Sequence, residues 1–253
     1  MLKLFFLRRC FMKVSATDMK NYFGKYLEKC KQETILITKN DRVVAKLDAC
    51  EESADDLMLK EDSAAYAWSG KRVSYEEFCE ITENNEDRYE YIDGEIYLLA
   101  APGVSHQMFL ANLYTLFNNW FMGKPCRVFF SPFDVTLAND ALKSKNVVEP
   151  DLLVSCDYLT QRNENDRYTG IPALVVEILS PGTRGKDQLK KLNVYLNGGV
   201  REYWIVDPRD RKVMLYYFAD QQLEDMDLFR DPAVVKSIHF PGLEVSTTDI
   251  FAD

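Results

Sequence analysis

Two carboxylates stand where carboxylates are costly. Glu177 lies in the middle of Val175-Val176-Glu177-Ile178-Leu179, a β-branched run that reads as a buried strand. Asp151 follows Pro150 and opens the apolar run Leu152-Leu153-Val154. An ionised carboxylate in such a strand is unfavourable unless it is paired or binds a cation. The next segment, Asp187-Gln188-Leu189-Lys190-Lys191-Leu192, places Asp187 and Lys191 four residues apart, on one face of a helix. Lys190 is turned about 100° away from Lys191 on such a helix, toward solvent. Two carboxylates on adjacent strands can hold a divalent metal such as Mg²⁺ or Mn²⁺ by oxygen ligation. The metal polarises a phosphate and lowers the pKa of a bound water. A nearby lysine orients that water or steadies the charge growing in the transition state. Together these make the minimum apparatus for phosphodiester hydrolysis. Plainer readings stand beside it: Asp151 as a turn residue, Glu177 as the partner of a structural Lys or Arg, and Asp187–Lys191 as a surface pair.

The elements that must position these groups can be read from periodicity. In the first 47 residues, Lys13-Val14-Ser15-Ala16 reads as a strand, with Ser15 and Thr17 as N-cap candidates. A helix to about Lys31 follows, with Met19, Tyr22, Phe23, Tyr26, Leu27 and Cys30 at helical spacing. Strands over 34–38 and 43–47 complete a unit too small to bury much surface by itself, so dimerisation is expected. Residues 48–70 read as an acidic linker. From residue 71 the pattern is a second, mixed α/β domain. It has a capped helix start at Ser74, a hairpin around Asp93-Gly94 and a helix over 105–121. Strands follow over 127–137, 146–154 and 173–179, then a helix over 185–196 ending at Gly198-Gly199, and strands over 202–206, 212–218 and 234–240.

Charge is unevenly spread within the net −9. Residues 1–47 carry 11 Lys+Arg against 4 Asp+Glu, residues 48–69 carry 1 against 7, and residues 70–253 carry 19 against 29. A basic head beside an acidic body suits a polyanion partner for the head. The body excludes broad nonspecific nucleic-acid binding unless a bound cation inverts its local field. Residues 1–11 lack the form of an export signal and read as a disordered extension, or as a start placed too early with Met12 as the true one. No run approaches the roughly 18 apolar residues of a membrane span, so a cytoplasmic chain is expected. Its six cysteines include no CxxC, and His106 and His239 are the only histidines, so a zinc site is not expected. Reduced, buried thiols are expected instead.

Residues 71–253 resemble the Uma-type (Uma-two) restriction-endonuclease family of the PD-(D/E)XK superfamily. The resemblance rests on Arg88-Tyr89-Glu90-Tyr91-Ile92-Asp93-Gly94-Glu95, Ser105-His106, Pro150-Asp151, Val176-Glu177-Ile178-Leu179-Ser180-Pro181 and Glu202-Tyr203-Trp204-Ile205-Val206-Asp207-Pro208. It implies a PD-(D/E)XK core in which Asp151 and Glu177 bind Mg²⁺ or Mn²⁺ and Glu90 completes the site. The superfamily's motif lysine falls on Leu179, which leaves Lys191 as a displaced replacement, supported by Asp187. His106 is either a supporting residue of the site or a capping and packing residue. Residues 12–47 resemble the Phd/YefM antitoxin N-terminal domain. That likeness rests on Met12-Lys13-Val14-Ser15-Ala16-Thr17-Asp18, Glu33-Thr34-Ile35-Leu36-Ile37-Thr38-Lys39-Asn40 and Val43-Val44-Ala45-Lys46-Leu47. It implies a dimer that binds operator DNA through basic residues, here Lys13, Lys20 and Lys25. In that family the following segment binds a toxin; here the acidic linker and the second domain take its place, which leaves a separate toxin partner open. The implied activity is metal-dependent hydrolysis of DNA, with a non-catalytic DNA-binding regulator as the alternative. Light scattering tests the dimer: the full chain should run as two chains per particle, and a chain starting at Gly70 as one.

Overall fold

The computed structural model describes residues 12–30, 35–39, 42–47, 69–83, 85–138, 142, 145–180 and 187–252, with only the backbone at 42, 43 and 187–189. The expected extension over 1–11 and nearly all of the expected linker lie outside the described residues. The chain divides into two units, Met1–Leu59 and Lys60–Asp253.

In the first unit, β1 (Met12–Ser15) leads into α1 (Ala16–Asn21) and α2 (Phe23–Lys29), followed by β2 (Ile35–Lys39) and β3 (Arg42–Leu47). The sheet order is β1-β2-β3, with β1 parallel to β2 and β2 antiparallel to β3. Ser15 caps α1, its Oγ accepting from the Asp18 N–H at 3.0 Å. The single helix expected to Lys31 is instead broken at Tyr22, whose φ of −128° and ψ of 33° leave the helical region. The cause lies in the small size of the core among the described residues. It takes Val14, Met19, Cys30 and Ile35, with Tyr26 packed against it, while Tyr22 and Phe23 remain exposed. Six apolar residues at helical spacing exceed what one three-stranded sheet can cover.

The second unit begins with α3 (Tyr75–Glu83), opened by a reciprocal cap. Ser74 Oγ accepts from the Glu77 N–H, and Glu77 Oε2 accepts from the Ser74 N–H. A hairpin of β4 (Tyr89–Ile92) and β5 (Glu95–Leu98) turns at Asp93 and Gly94, both with positive φ. Then come α4 (Val104–Phe121), β6 (Arg127–Phe130), β7 (Val135–Leu137), β8 (Asn146–Val148), β9 (Leu152–Ser155), β10 (Leu174–Ile178) and α5 (Asp187–Gly198). The chain closes with β11 (Glu202–Asp207), β12 (Lys212–Ala219), β13 (Gln222–Arg230), β14 (Val234–Lys236), β15 (Glu244–Ser246) and α6 (Thr247–Ile250).

Six strands form the main sheet in the order β13-β12-β11-β10-β9-β6, and four form a second sheet in the order β5-β4-β8-β7. Only β10 and β11 of the main sheet are parallel, and α5 connects them. Alternation along each strand decides what each face buries. Leu174, Val176 and Ile178 of β10 join Leu152, Val154, Trp204 and Val206 under Leu110, Leu113, Phe117 and Phe121 of α4. Val175 faces the other way, with Leu153, Tyr203 and Ile205, toward Val194 and Tyr195 of α5 and Val135, Leu137 and Val148 of the second sheet. Glu177 falls on this second face.

Two of the expected strands are each split between the sheets. The run over 127–137 leaves the main sheet at Ser131-Pro132 and continues in the second. The run over 146–154 crosses back at Glu149-Pro150-Asp151. Proline lacks the N–H that a ladder needs, so pairing stops there. The expectation of reduced thiols fails at one pair. Cys126 and Cys156 flank the paired ends of β6 and β9 and form a disulfide, while Cys30 and Cys79 are free. Strand β13 was not expected, because Glu224, Asp225 and Asp227 give an edge strand the composition of a loop. Among the described residues no helix is long and apolar enough to cross a membrane. Phe117 is fully buried between α4 and the sheet. Phe117→Ala should therefore cost about 3–5 kcal/mol in denaturant unfolding, whereas Val234→Ala at an exposed site should stay within about 0.5 kcal/mol.

Candidate active site

Three elements converge on Lys191. Its Nζ donates to Glu177 Oε1 of β10 at 2.9 Å and lies 2.9 Å from Glu90 Oε1 of β4. One turn further along α5, Tyr195 OH donates to the same Glu177 oxygen at 2.6 Å. Glu90 Oε1 also accepts the backbone N–H of Glu149 at 2.9 Å. The side chains of Lys191, Glu177 and Glu90 keep only 13%, 11% and 4% of their exposure, so this ammonium and its partners are largely out of water.

The partners are not stabilised equally. Burial alone would push the Lys191 pKa down, but the charges of Glu177 and Glu90 and their hydrogen bonds hold it above its ordinary value. Burial pushes Glu177 up, Lys191 pulls it down, and the charges of Asp151 and Glu90 push it up again, leaving it at about 7. Three carboxylates crowd one ammonium, and Glu177 carries the consequence.

Asp151 sits at the crossing between the sheets. Its Oδ2 accepts the N–H of Ile178, the residue after Glu177, at 2.7 Å. Its Oδ1 lies 3.3 Å from Nε2 of His106, in the first turn of α4. Burial lowers the His106 pKa, but the hydrogen bond and charge of Asp151 and the charge of Glu177 raise it further, so the net shift is upward. His106 Nδ1 is buried without a hydrogen-bond partner among the described residues. A supporting layer lies beside this group: Ser131 Oγ donates to Glu149 Oε1 at 2.7 Å, and Arg88 reaches the same oxygen at 3.0 Å. Burial raises the Glu149 pKa against the opposing pull of Ser131 and Arg88.

With that geometry in view, comparison with known proteins identifies the domain. The sequence model of the Uma2 family, described as "Putative restriction endonuclease", matches residues 75–248. The chain belongs to the Uma2 family. The match includes Glu90, His106, Asp151, Glu177 and Lys191, and it leaves out the unit Met1–Leu59. A crystal structure titled as a putative nuclease belonging to DUF820, from Anabaena variabilis, superimposes with a TM-score of 0.56 at 23% identity, covering 71% of this chain and 98% of that one. The relative slr1290 of Synechocystis, an uncharacterized protein, is 29% identical over 150 residues, which cover 59% of this chain and 76% of the relative.

The structure of this Uma2 chain brings Glu90, Glu177 and Lys191 into direct contact and ties Asp151 and His106 to the end of the same strand. Lys191 is held by acids from two sheets, a partnership that helical spacing cannot reveal. The Asp187 side chain, expected to hold it, lies outside the described residues. Lys190 does not simply face solvent: it bonds Glu95 Oε2 at 2.7 Å and the hydroxyl of Tyr97, pinning α5 to β5. Lys13, Lys20 and Lys25 are exposed in the separate first unit and take no part in this cluster. The sequence reading missed Arg88, Ser131 and Glu149. The available signal was their spacing: Arg88 lies two residues before Glu90, and Glu149 two before Asp151. A cleft of about 490 Å³ lined by Tyr75, Phe78, Asp134 and Arg167 does not include the lysine cluster. Crowded charge, rather than that cleft, marks the lysine cluster.

Among the described residues, no three His, Cys, Asp or Glu side chains are arranged as a metal cage. Mg²⁺ needs none, because one or two carboxylates with water and substrate phosphate satisfy it. Asp151 and Glu177 supply hard oxygen donors; burial is the main cause that raises Glu177, and the charges of Asp151 and Glu90 that add to it are a field a divalent cation would relieve. The residues fit such an ion.

Because Lys191 is buried between two acids, removing it cannot leave the fold untouched, contrary to the expectation for a surface helix lysine. Lys191→Met should cost about 3–5 kcal/mol near neutral pH. The loss should grow as pH rises through 7, where Glu177 ionises beside Lys191 in the wild type but is held protonated without it. Wild-type stability should also respond to Glu177 directly. Its folded pKa of about 7 lies above its ordinary 4.5, so its contribution is full below about pH 4.5 and is lost as pH rises through 7. Glu177→Gln should remove that slope in melts taken from pH 4.5 to 8.

Proposed function

We propose that residues 71–253 form a divalent-cation-dependent endonuclease acting on DNA. The observation that carries this reading is the Lys191 ammonium held by Glu177 and Glu90, next to Asp151. Asp151 and Glu177 would hold Mg²⁺ or Mn²⁺, which when bound supplies a Lewis acid for a phosphoryl oxygen and a water of lowered pKa. Lys191 keeps its proton and offers a fixed positive charge where negative charge grows on the attacked phosphate. Glu90 and Tyr195 keep that charge and its carboxylate partner in place, so little reorganisation is needed during reaction. His106 holds Asp151 from the α4 side.

The unit Met1–Leu59 is proposed to act as an antitoxin-like, dimerising DNA-binding head. Exposed Lys13, Lys20 and Lys25 support phosphate contacts. Exposed Tyr22, Phe23 and Leu27, on a unit with few buried core residues among the described ones, support self-association. One observation favours the non-catalytic regulator instead: the strand position where the superfamily carries its lysine holds Leu179, which is buried.

Plasmid nicking separates the two readings. Purified full-length protein with Mg²⁺ or Mn²⁺ should convert supercoiled plasmid to nicked or linear forms, and EDTA should stop it. Asp151→Asn and Lys191→Met should each lower the rate by about 100-fold or more. No cleavage with either metal, while DNA binding persists, would favour the regulator.

A further inference from the structure

The acidic cluster leaves a problem for a polyanionic substrate, since a phosphate approaching Asp151, Glu177 and Glu90 meets like charge. Among the described residues, Arg88 is a cation beside this cluster that is bonded to Glu149 rather than to those three acids. It lies two residues before Glu90, just ahead of β4, where its carbonyl accepts the Leu99 N–H, and Tyr89 between the two packs toward Phe78. Arg88 and Glu90 also share a partner: Arg88 bonds the carboxylate of Glu149, and Glu90 accepts the backbone N–H of that same residue. The guanidinium is thus anchored one residue's reach from the Lys191 cluster. Its scaffold includes Asp151, whose carbonyl accepts the Ser131 N–H while the Ser131 hydroxyl donates to Glu149.

The anchoring uses one corner of the fork. NH1 contacts Glu149 at 3.0 Å and Ser131 at 3.4 Å. Nε and NH2 have no hydrogen-bond partner among the described residues, and 37% of the side chain is exposed. A planar group with five N–H donors, held at one edge and open at another, suits a phosphate oxygen pair. Lys190 cannot serve in the same way, because Glu95 and Tyr97 already hold it.

We propose that Arg88 is a substrate-binding residue, taking a backbone phosphate of the nucleic acid beside the one attacked, with Glu149 and Ser131 holding its guanidinium in place. The inference rests on the reading of the neighbouring cluster as a phosphodiesterase site, and its test uses binding, so the two fail separately. Full-length protein carrying Lys13→Gln, Lys20→Gln and Lys25→Gln, which quiets the proposed head, is titrated with a fluorescein-labelled DNA duplex in Ca²⁺ over a series of salt concentrations, with wild-type Arg88 or with Arg88→Gln, Arg88→Lys or Lys236→Gln added. Gln keeps a donor for Glu149, and circular dichroism checks the fold. Lys236, on β14 at the α4 side of the sheet, controls for loss of one positive charge. Arg88→Gln should lower the slope of log K against log salt by about 0.9 and weaken binding on the order of tenfold. Arg88→Lys should keep the slope, and Lys236→Gln should behave as the triply substituted parent. An unchanged slope in Arg88→Gln overturns the assignment, as does an equal loss in Arg88→Lys or Lys236→Gln. Loss of slope in Arg88→Gln alone, from a protein that cuts no DNA with Mg²⁺ or Mn²⁺, upholds the phosphate contact and overturns the nuclease reading.

Discussion

Lys191 Nζ is taken out of water and held between Glu177 and Glu90. An ammonium so placed is tolerable only if both acids stay at hydrogen-bonding distance, because a buried charge without its partner costs several kcal/mol. Glu177 belongs to the main sheet, Glu90 to the second sheet and Lys191 to the helix connecting β10 to β11. The interaction therefore ties together three elements far apart in sequence. Tyr195, one turn along the helix, adds a second bond to Glu177 and sets the rotation of α5 over β10.

The chain crossings between the sheets follow from the same requirement. Pro132 and Pro150 stop the ladders, and the residues beside those crossings turn toward the cluster. Glu149 gives its N–H to Glu90, Asp151 accepts from Ile178, and Ser131 closes the layer between them. The site thus lies where two sheets meet rather than in the cleft lined by Tyr75, Phe78, Asp134 and Arg167. Its electrostatics are uneven by construction: the lysine's charge is stabilised, while Glu177 is crowded by Asp151 and Glu90. A divalent cation and a basic residue at the rim would both relieve that imbalance.

Much of this was legible from sequence because it is local. The helix α4, the capping box at Ser74 and Glu77, the turn at Asp93-Gly94 and the buried strands β10 and β11 follow from periodicity and turn chemistry. Asp151, Glu177, Glu90 and Lys191 stood out as polar groups in apolar settings or by family likeness. What stayed hidden depends on long-range pairing. No spacing rule says that Lys191 answers to Glu90, about a hundred residues away. None says that Arg88, Ser131 and Glu149 share one oxygen. The disulfide between Cys126 and Cys156 was hidden for the same reason, since only the antiparallel register of β6 and β9 brings the two together. The helix break at Tyr22 was hidden because helical spacing records apolar positions, not how much core exists to receive them.

The central claim is that the carboxylates of Asp151 and Glu177, beside the fixed charge of Lys191, make a seat for a divalent cation. Anomalous diffraction from crystals of the full-length protein grown with Mn²⁺ tests it directly. The account predicts a manganese peak within ligand distance of both carboxylates, roughly 2.0–2.6 Å, with Lys191 still bonded to Glu90. A peak elsewhere in the domain, or none with Mn²⁺ present in excess, would contradict it.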